Sequence, residues 1–311
     1  MTARSGSSDA RSTMKKLTGV FPIVATPFRA DGTPDPRDLT TVVEFIVTAG
    51  ADGVVFPGVA SEFETLRPDE RRELVALVAA AVRKRAALVI GVSASNALDA
   101  AAYASQARDV GAAAVMAVAP PSMRDSAEAQ LDYYRTIAAN GVPIILQNAP
   151  APAGCGWSPE RVAEIVRDVP GIAYVKEETL PCGQRITRLL DLVPSLEGVF
   201  GGAGGRYITD ELARGACGTM PACELTDLHV QQFAAHRAGR HADVRRLYTR
   251  MLPLLNFQAV FRMAMTKEVL RRRGVISSTF VRAAGPKMDA GDLRELGALL
   301  EELDLPPLAA T

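Results

Sequence analysis

The chain is poor in the residues that most often announce a function. Histidine occurs three times, cysteine four times and tryptophan once. His229, His236 and His241 all fall near the C-terminus, and imidazole is the usual ligand of a metal-dependent enzyme, so neither a metal centre nor a histidine base is expected. Cys155, Cys182, Cys217 and Cys223 form no CxxC pair, which suits reduced thiols in a cytoplasmic protein rather than a disulfide framework. No apolar run is long enough for a membrane span, and the mean hydropathy is only +0.09. Net charge is absent too: 35 Lys and Arg balance 35 Asp and Glu, so no global field draws the chain to nucleic acid or anionic lipid. A small-molecule ligand is the expected partner. The opening MTARSGSSDARSTMKK has no apolar segment behind its basic residues, and residues 1–16 read as a frayed tail rather than a secretory signal.

What is present is an alternation. Short, nearly continuous apolar runs alternate with longer stretches of helical period, the pattern of βα units around a buried parallel sheet. The runs are Val20–Ala25, Gly53–Phe56, Leu88–Val92, Ala114–Ala119, Pro143–Gln147, Ile172–Lys176, Gly198–Gly201 and Gly218–Pro221. Helix starts are marked by Pro68-Asp69-Glu70 and Ser158-Pro159-Glu160, and helix ends by Gly50, Gly111 and Gly215. Eight units and no GxGxxG turn after the first strand favour a (β/α)₈ TIM barrel over an open doubly wound sheet. The barrel is expected over residues 17–235 and a C-terminal helical region over 236–311, with a break at Gly239.

Catalytic groups of such a barrel project from the C-terminal ends of its strands. Lysine is scarce, and of the six in the chain only Lys176 ends an apolar run, Ile172-Ala173-Tyr174-Val175. It is either a nucleophilic amine at the barrel mouth or a lysine that snorkels to solvent or pairs with Glu177. Two residues on, Glu178 shares its strand face, where it either serves as an acid/base or caps the next helix. Gly201 to Gly205 resemble a phosphate cradle in composition, yet no Lys-Ser/Thr follows. The better reading is that Gly202 and its neighbours let backbone approach a substrate closely. Arg206 either meets a distal carboxylate or is a solvated helix-start residue. Ser93 and Ser122, near the ends of the third and fourth strands, are candidates for substrate hydroxyls.

GVFPIVATPF, DGVVFPGVASEFETLRPDER, PIILQNAP and YVKEET, in this order, resemble the dihydrodipicolinate synthase and N-acetylneuraminate lyase family of class I aldolases and dehydratases. The resemblance covers the chain beyond the tail. It implies that Lys176 forms an imine with a 2-oxo acid, that no cofactor is needed, and that the chain assembles as a homotetramer or homodimer. The departures narrow the reading. Where founding members carry a GTTGE-type loop with hydroxyl relay, this chain has Gly58-Val59-Ala60-Ser61-Glu62, leaving the amides of Ala60 and Ser61 for the substrate carboxylate. Glu62 is expected to tie loop amides together. Gln147 stands where those members have an acid/base tyrosine, and an amide holds a hydroxyl or water rather than moving a proton. Pro152 replaces their arginine and Pro121-Ser122 their tyrosine pair. Gln147, Lys176-Glu177-Glu178-Thr179 and Leu252-Pro253-Leu254-Leu255-Asn256-Phe257 are similar to a subgroup that dehydrates 2-keto-3-deoxy sugar acids. The resemblance implies dehydration first, pyruvate-releasing aldol cleavage second, and a binding-only sugar-acid paralogue third.

Overall fold

The structure, a computed structural model, describes residues 16–305, so the expected tail lies outside them but for its last residue. Eight parallel strands follow the expected order: β1 (Gly19–Val20), β2 (Gly53–Phe56), β3 (Ala87–Gly91), β4 (Ala114–Ala117), β5 (Ile144–Asn148), β6 (Ile172–Glu177), β7 (Gly198–Gly201) and β8 (Gly218–Thr219). Between them run α1 (Pro36–Thr48), α2 (Pro68–Val82), α3 (Ala97–Asp109), α4 (Ala127–Ala138), α5 (Pro159–Asp168), α6 (Cys182–Leu192) and α7 (Ile208–Ala213). Pairing proceeds β1-β8-β7-β6-β5-β4-β3-β2, and a bridge from Ile23 to Val55 spans the remaining seam. The wall is therefore a barrel and not an open sheet. The first strand is shorter than its apolar run because Pro22 has no N–H to donate. The run stays in the wall, however, through the Phe21 and Ile23 amides, which donate to Thr219 and Pro221.

Alternation along the strands divides the apolar residues between two cores. Outward residues such as Val54, Ile90, Leu146, Val175 and Val199 pack under the helices. Inward residues fill the barrel: Phe21, Val89, Met116, Ile145, Tyr174, Phe200 and Met220. Phe21 and Phe200 meet edge to face at 5.2 Å. At the N-terminal end of the barrel the Tyr174 hydroxyl accepts from the Leu17 amide and donates to Glu197, closing it with satisfied polar groups.

One irregularity in this wall matters for chemistry. Ile144 pairs with Ile172 but Ile145 pairs with Tyr174, so β6 bulges at Ala173. Ala173 and Tyr174 both face the interior cluster, and alternation resumes with Val175 outward. Lys176 is thereby turned inward, beside Gln147. Bulges re-aim side chains near active sites in this way.

Helix ends fall where the sequence marks them. Ser158 caps α5 by accepting from the Arg161 amide, and Pro68 and Pro159 are first helical residues. Gly50, Gly111 and Gly215 take φ of 85°, 77° and 91°, the left-handed setting that ends a helix. After the barrel come α8 (Thr226–Arg237), α9 (His241–Arg272) and α10 (Ala290–Glu302), with Gly239 left-handed between the first two. The last two bury Met251, Leu254, Val269, Leu296 and Leu300 against one another.

Candidate active site

Lys176, next to last in β6 and only 1% exposed, lines a cavity of about 240 Å³ on the C-terminal side of the barrel. Its Nζ lies 3.2 Å from Glu178 Oε1. Glu177 takes no part in that pair: its carboxylate accepts from Asn148 and the Thr179 amide and pairs with Arg185. Burial raises the Glu177 pKa, with Arg185 and these bonds opposing it.

Glu178 is the hub of the site. Its Oε2 accepts from Gln147 Nε2 at 2.6 Å and its Oε1 from the Ala203 amide at 3.1 Å. Burial alone would raise its pKa, but Lys176 and the bonds from Gln147 and Ala203 outweigh burial and hold the carboxyl below its usual range. It does not cap α6, whose N-cap is Pro181. Gln147, 3% exposed, thus gives its amide donor to Glu178.

The glycines after β7 make room for carboxylates of the protein itself. A Cβ on Gly202 would stand 2.5 Å from Glu178 Oε1, and one on Gly201 would stand 2.0 Å from Glu211 Oε2. Ala203 follows with φ +50°, a left-handed setting strained for a residue with a Cβ, and this turn aims its N–H at Glu178.

Glu211, on α7, carried no signal in the sequence beyond an acid early in a short helix. It is 1% exposed and neither carboxyl oxygen has a hydrogen-bond partner among the described residues. Burial first, and the Glu178 charge second, push its pKa up to about 8. Two glutamates packed against a glycine pair, Glu211 buried and Glu178 less fully so, are therefore driven in opposite directions.

Two of the three candidate serines are occupied by the scaffold. Ser61 Oγ accepts from the Gly58 amide and donates to the Val24 carbonyl, while the Ser61 amide closes a turn onto Gly58. Ala60, by contrast, lines the cavity. Ser93 Oγ accepts from the Val118 amide, and Ser122 is exposed in the turn after β4. Neither lines the cavity that holds Lys176. Glu62 lies elsewhere in the fold. It accepts from Lys267 and from the amides of Arg282 and Ala283, fastening the C-terminal segment to the loop after β2.

Asn148 fixes the loop over the mouth, its side chain donating to the Trp157 carbonyl and accepting from the Trp157 amide. Ala149 to Ala153 then form one wall of the cavity. Arg206, Gln258 and Arg262 form another. Arg206 Nη1 donates to Gln258 Oε1 at 3.1 Å. Arg262 interrupts α9 with φ 48° and ψ −121°, a backbone setting that costs a non-glycine residue about 1–3 kcal/mol. The helical period hid it in the sequence.

His229, though far along the chain, packs under the loop after β7, and a Cβ on Gly205 would stand 2.6 Å from its Cε1. Burial lowers its pKa to about 4, which leaves it neutral near pH 7. Among the described residues no three His, Cys, Asp or Glu side chains gather as a metal cluster would require.

The fold and this site define a (β/α)₈ barrel with a buried lysine, a carboxylate and an amide in contact at the ends of its fifth and sixth strands. The family model of the dihydrodipicolinate synthetase family matches residues 16–303. An L-2-keto-3-deoxyarabonate dehydratase of Azospirillum brasilense is 30% identical over 299 residues, covering 94% of this chain and 96% of that one. A 4-hydroxy-tetrahydrodipicolinate synthase of Pelodictyon phaeoclathratiforme is 31% identical over 268 residues, covering 85% and 90%. The crystal structure of a dihydrodipicolinate synthase from Rhodopseudomonas palustris superposes with a TM-score of 0.85 at 27% identity, over 92% of this chain and 98% of that one. The chain belongs to the dihydrodipicolinate synthetase family and is a lyase.

Proposed function

We propose that the enzyme dehydrates a 2-keto-3-deoxy sugar acid through an imine at Lys176, in the manner of an L-2-keto-3-deoxyarabonate dehydratase. The observation that carries this reading is the contact chain Lys176, Glu178, Gln147, in which an amine meets a carboxylate whose other oxygen is held by an amide. A carboxylate is a proton carrier, whereas the amide beside it positions. The likeness to the A. brasilense dehydratase, over nearly the whole of both chains, supports the same choice.

In the proposed sequence the Lys176 ammonium yields a proton to Glu178, and the free amine adds to the C2 carbonyl carbon. The carbonyl oxygen takes one proton from the amine nitrogen and one back from Glu178 and leaves as water, giving an iminium and the Glu178 carboxylate. Glu178 then takes a proton from C3 and the electron pair moves into C2–C3 to form an enamine. That pair expels the C4 hydroxyl, which takes the proton from Glu178 and departs as water. Loss of a C5 proton and reprotonation at C3 leave a C4–C5 enol, which gains a proton at C4 and loses its hydroxyl proton to become an aldehyde at C5. Hydrolysis frees the amine and a semialdehyde, and the net change is loss of one water. The anionic form of Glu178, favoured by Lys176 and Gln147, is the form the C3 step requires.

A cytoplasmic homotetramer or homodimer is proposed with this activity, on the resemblance and the reduced cysteines. Product analysis separates dehydration from aldol cleavage, since the two break different bonds of C4. With L-2-keto-3-deoxyarabonate a semialdehyde retaining all carbons is expected. Pyruvate among the products would remove the dehydratase reading.

A further inference from the structure

The cavity above Lys176 carries more positive charge than a simple 2-oxo acid can match. Lys176, Arg206 and Arg262 line it, and Glu178 is the one carboxylate among its lining residues. Glu178 is already committed to Lys176. Arg206 finds only neutral partners, the Leu255 carbonyl and Gln258, and among the described residues neither arginine forms a salt bridge. Two other arginines at structural positions do find carboxylates: Arg282 grips Glu70 with two bonds, and Arg273 pairs with Asp227. The sharp break in α9 falls at Arg262, where the chain adopts a backbone that favours glycine and nevertheless carries an arginine.

A 2-oxo acid bound as an imine at Lys176 brings one negative charge, at C1, next to the reacting carbon. The two arginines line the cavity from the loop after β7 and from α9, elements other than the loop after β2 that carries Ala60. They are free to receive an anion at the far end of the substrate, and guanidinium groups pair with carboxylates through parallel hydrogen bonds. We propose that Arg206 and Arg262 form a subsite for a distal carboxylate, so that among 2-oxo acids of equal length those carrying a second carboxylate bind at Lys176 more tightly. This assignment rests on imine formation at Lys176 and does not depend on which bond at C4 is broken.

The test compares 2-oxoadipate with 2-oxohexanoate, which differ in a terminal carboxylate against a terminal methyl. Each is titrated into the enzyme with borohydride, and the concentration giving half-maximal covalent trapping at Lys176 is read by mass spectrometry. 2-Oxoadipate is expected to half-saturate at a concentration at least tenfold lower, the equivalent of about 1.4 kcal/mol. The ratio should fall as salt rises from about 10 mM to about 1 M, where the screening length shortens from about 30 Å to about 3 Å. Arg206→Gln and Arg262→Gln should each carry it toward one, while Arg206→Lys, which keeps the charge, should retain part of it. Folding of each variant is checked by its thermal transition. Equal trapping of the two acids, or a ratio unmoved by either substitution, overturns the subsite. Pyruvate is the control: trapping of pyruvate without any diacid preference removes the subsite alone, whereas no trapping of any 2-oxo acid removes the imine reading and the subsite with it.

Discussion

Among the described residues two buried lysines, Lys267 and Lys176, each face a glutamate, and the pairs differ in what surrounds them. Lys267 and Glu62 meet at 2.5 Å with neither side chain exposed to solvent. Every part of that pair is used: Lys267 also donates to the Phe280 carbonyl and stands over the Phe28 ring, and Glu62 also accepts from the amides of Arg282 and Ala283. Lys176 and Glu178 meet at 3.2 Å, and there Glu178 is well bonded while Lys176 has no partner but Glu178 among the described residues. The first pair is a clasp between the loop after β2 and the C-terminal segment. The second opens on a cavity, with an amine that a carbonyl carbon can reach. Each buried lysine faces one glutamate, Glu62 wholly buried and Glu178 less so, and it is saturation of the hydrogen-bonding capacity that separates a structural pair from a reactive one.

Substitutions should move the two pairs along different axes. The largest effect is expected for Lys176→Ala, a loss of turnover beyond about 10⁴-fold, since the covalent intermediate disappears with the amine. Its thermal transition should shift far less than that of Lys267→Met, and steady-state kinetics beside calorimetry checks both. Glu178→Gln should lower kcat by about 10²–10⁴-fold, the range of general acid–base catalysis, while borohydride trapping persists. Lys267→Met leaves Glu62 buried without its cation, and the expected loss is about 3–5 kcal/mol of stability. The folded fraction should still trap a 2-oxo acid at Lys176. If instead Lys267→Met abolished trapping in protein shown to be folded, the division between clasp and reactive pair would fail.

Much of this was legible in the sequence, for physical reasons. Strands buried on both faces read as continuous apolar runs, and all eight were found, with ends misjudged at Pro22 and Pro221, which lack the N–H a ladder needs. Lys176 and Glu178 were legible because residues two apart on a strand share a face. The bulge at Ala173, which turns that face inward, was not, because a register shift belongs to the pairing and not to either strand. The glycines after β7 were noticed, but the groups filling their missing Cβ positions, Glu178 and Glu211, come from other elements. The partners of Glu62 lie more than two hundred residues away, beyond any periodicity argument.

Smaller effects sharpen the picture of the reactive pair. Gln147→Ala removes one bond to Glu178 and should cost about 1–3 kcal/mol in the transition state, or roughly ten- to a hundredfold in kcat. The same bond helps hold the Glu178 pKa down, so the acid limb of the pH–rate profile should move to higher pH in this variant. A limb that stays put would show that Gln147 acts elsewhere. On turnover the smallest change is expected from Glu211→Gln, whose effect is on stability instead. The folded-state pKa of Glu211 is raised from 4.5 to about 8, so the native state binds the extra proton between those values, and its contribution to stability is lost as pH rises through that window. The amide variant carries no charge to bury, and its melting temperature should fall less steeply than that of the wild type from pH 5 to pH 8 (about 5 and about 8 bracketing the window).

The measurement that bears most directly on the distinction between the two pairs is borohydride reduction of the wild-type enzyme in the presence of pyruvate, followed by peptide mapping. Both lysines are buried and both face a glutamate, so proximity to a carboxylate alone does not distinguish them. One reduced pyruvate per chain, carried by the peptide that contains Lys176 and absent from the peptide that contains Lys267, is the result this account predicts. An unmodified Lys176 in folded protein, or label on Lys267 in its place, would contradict it.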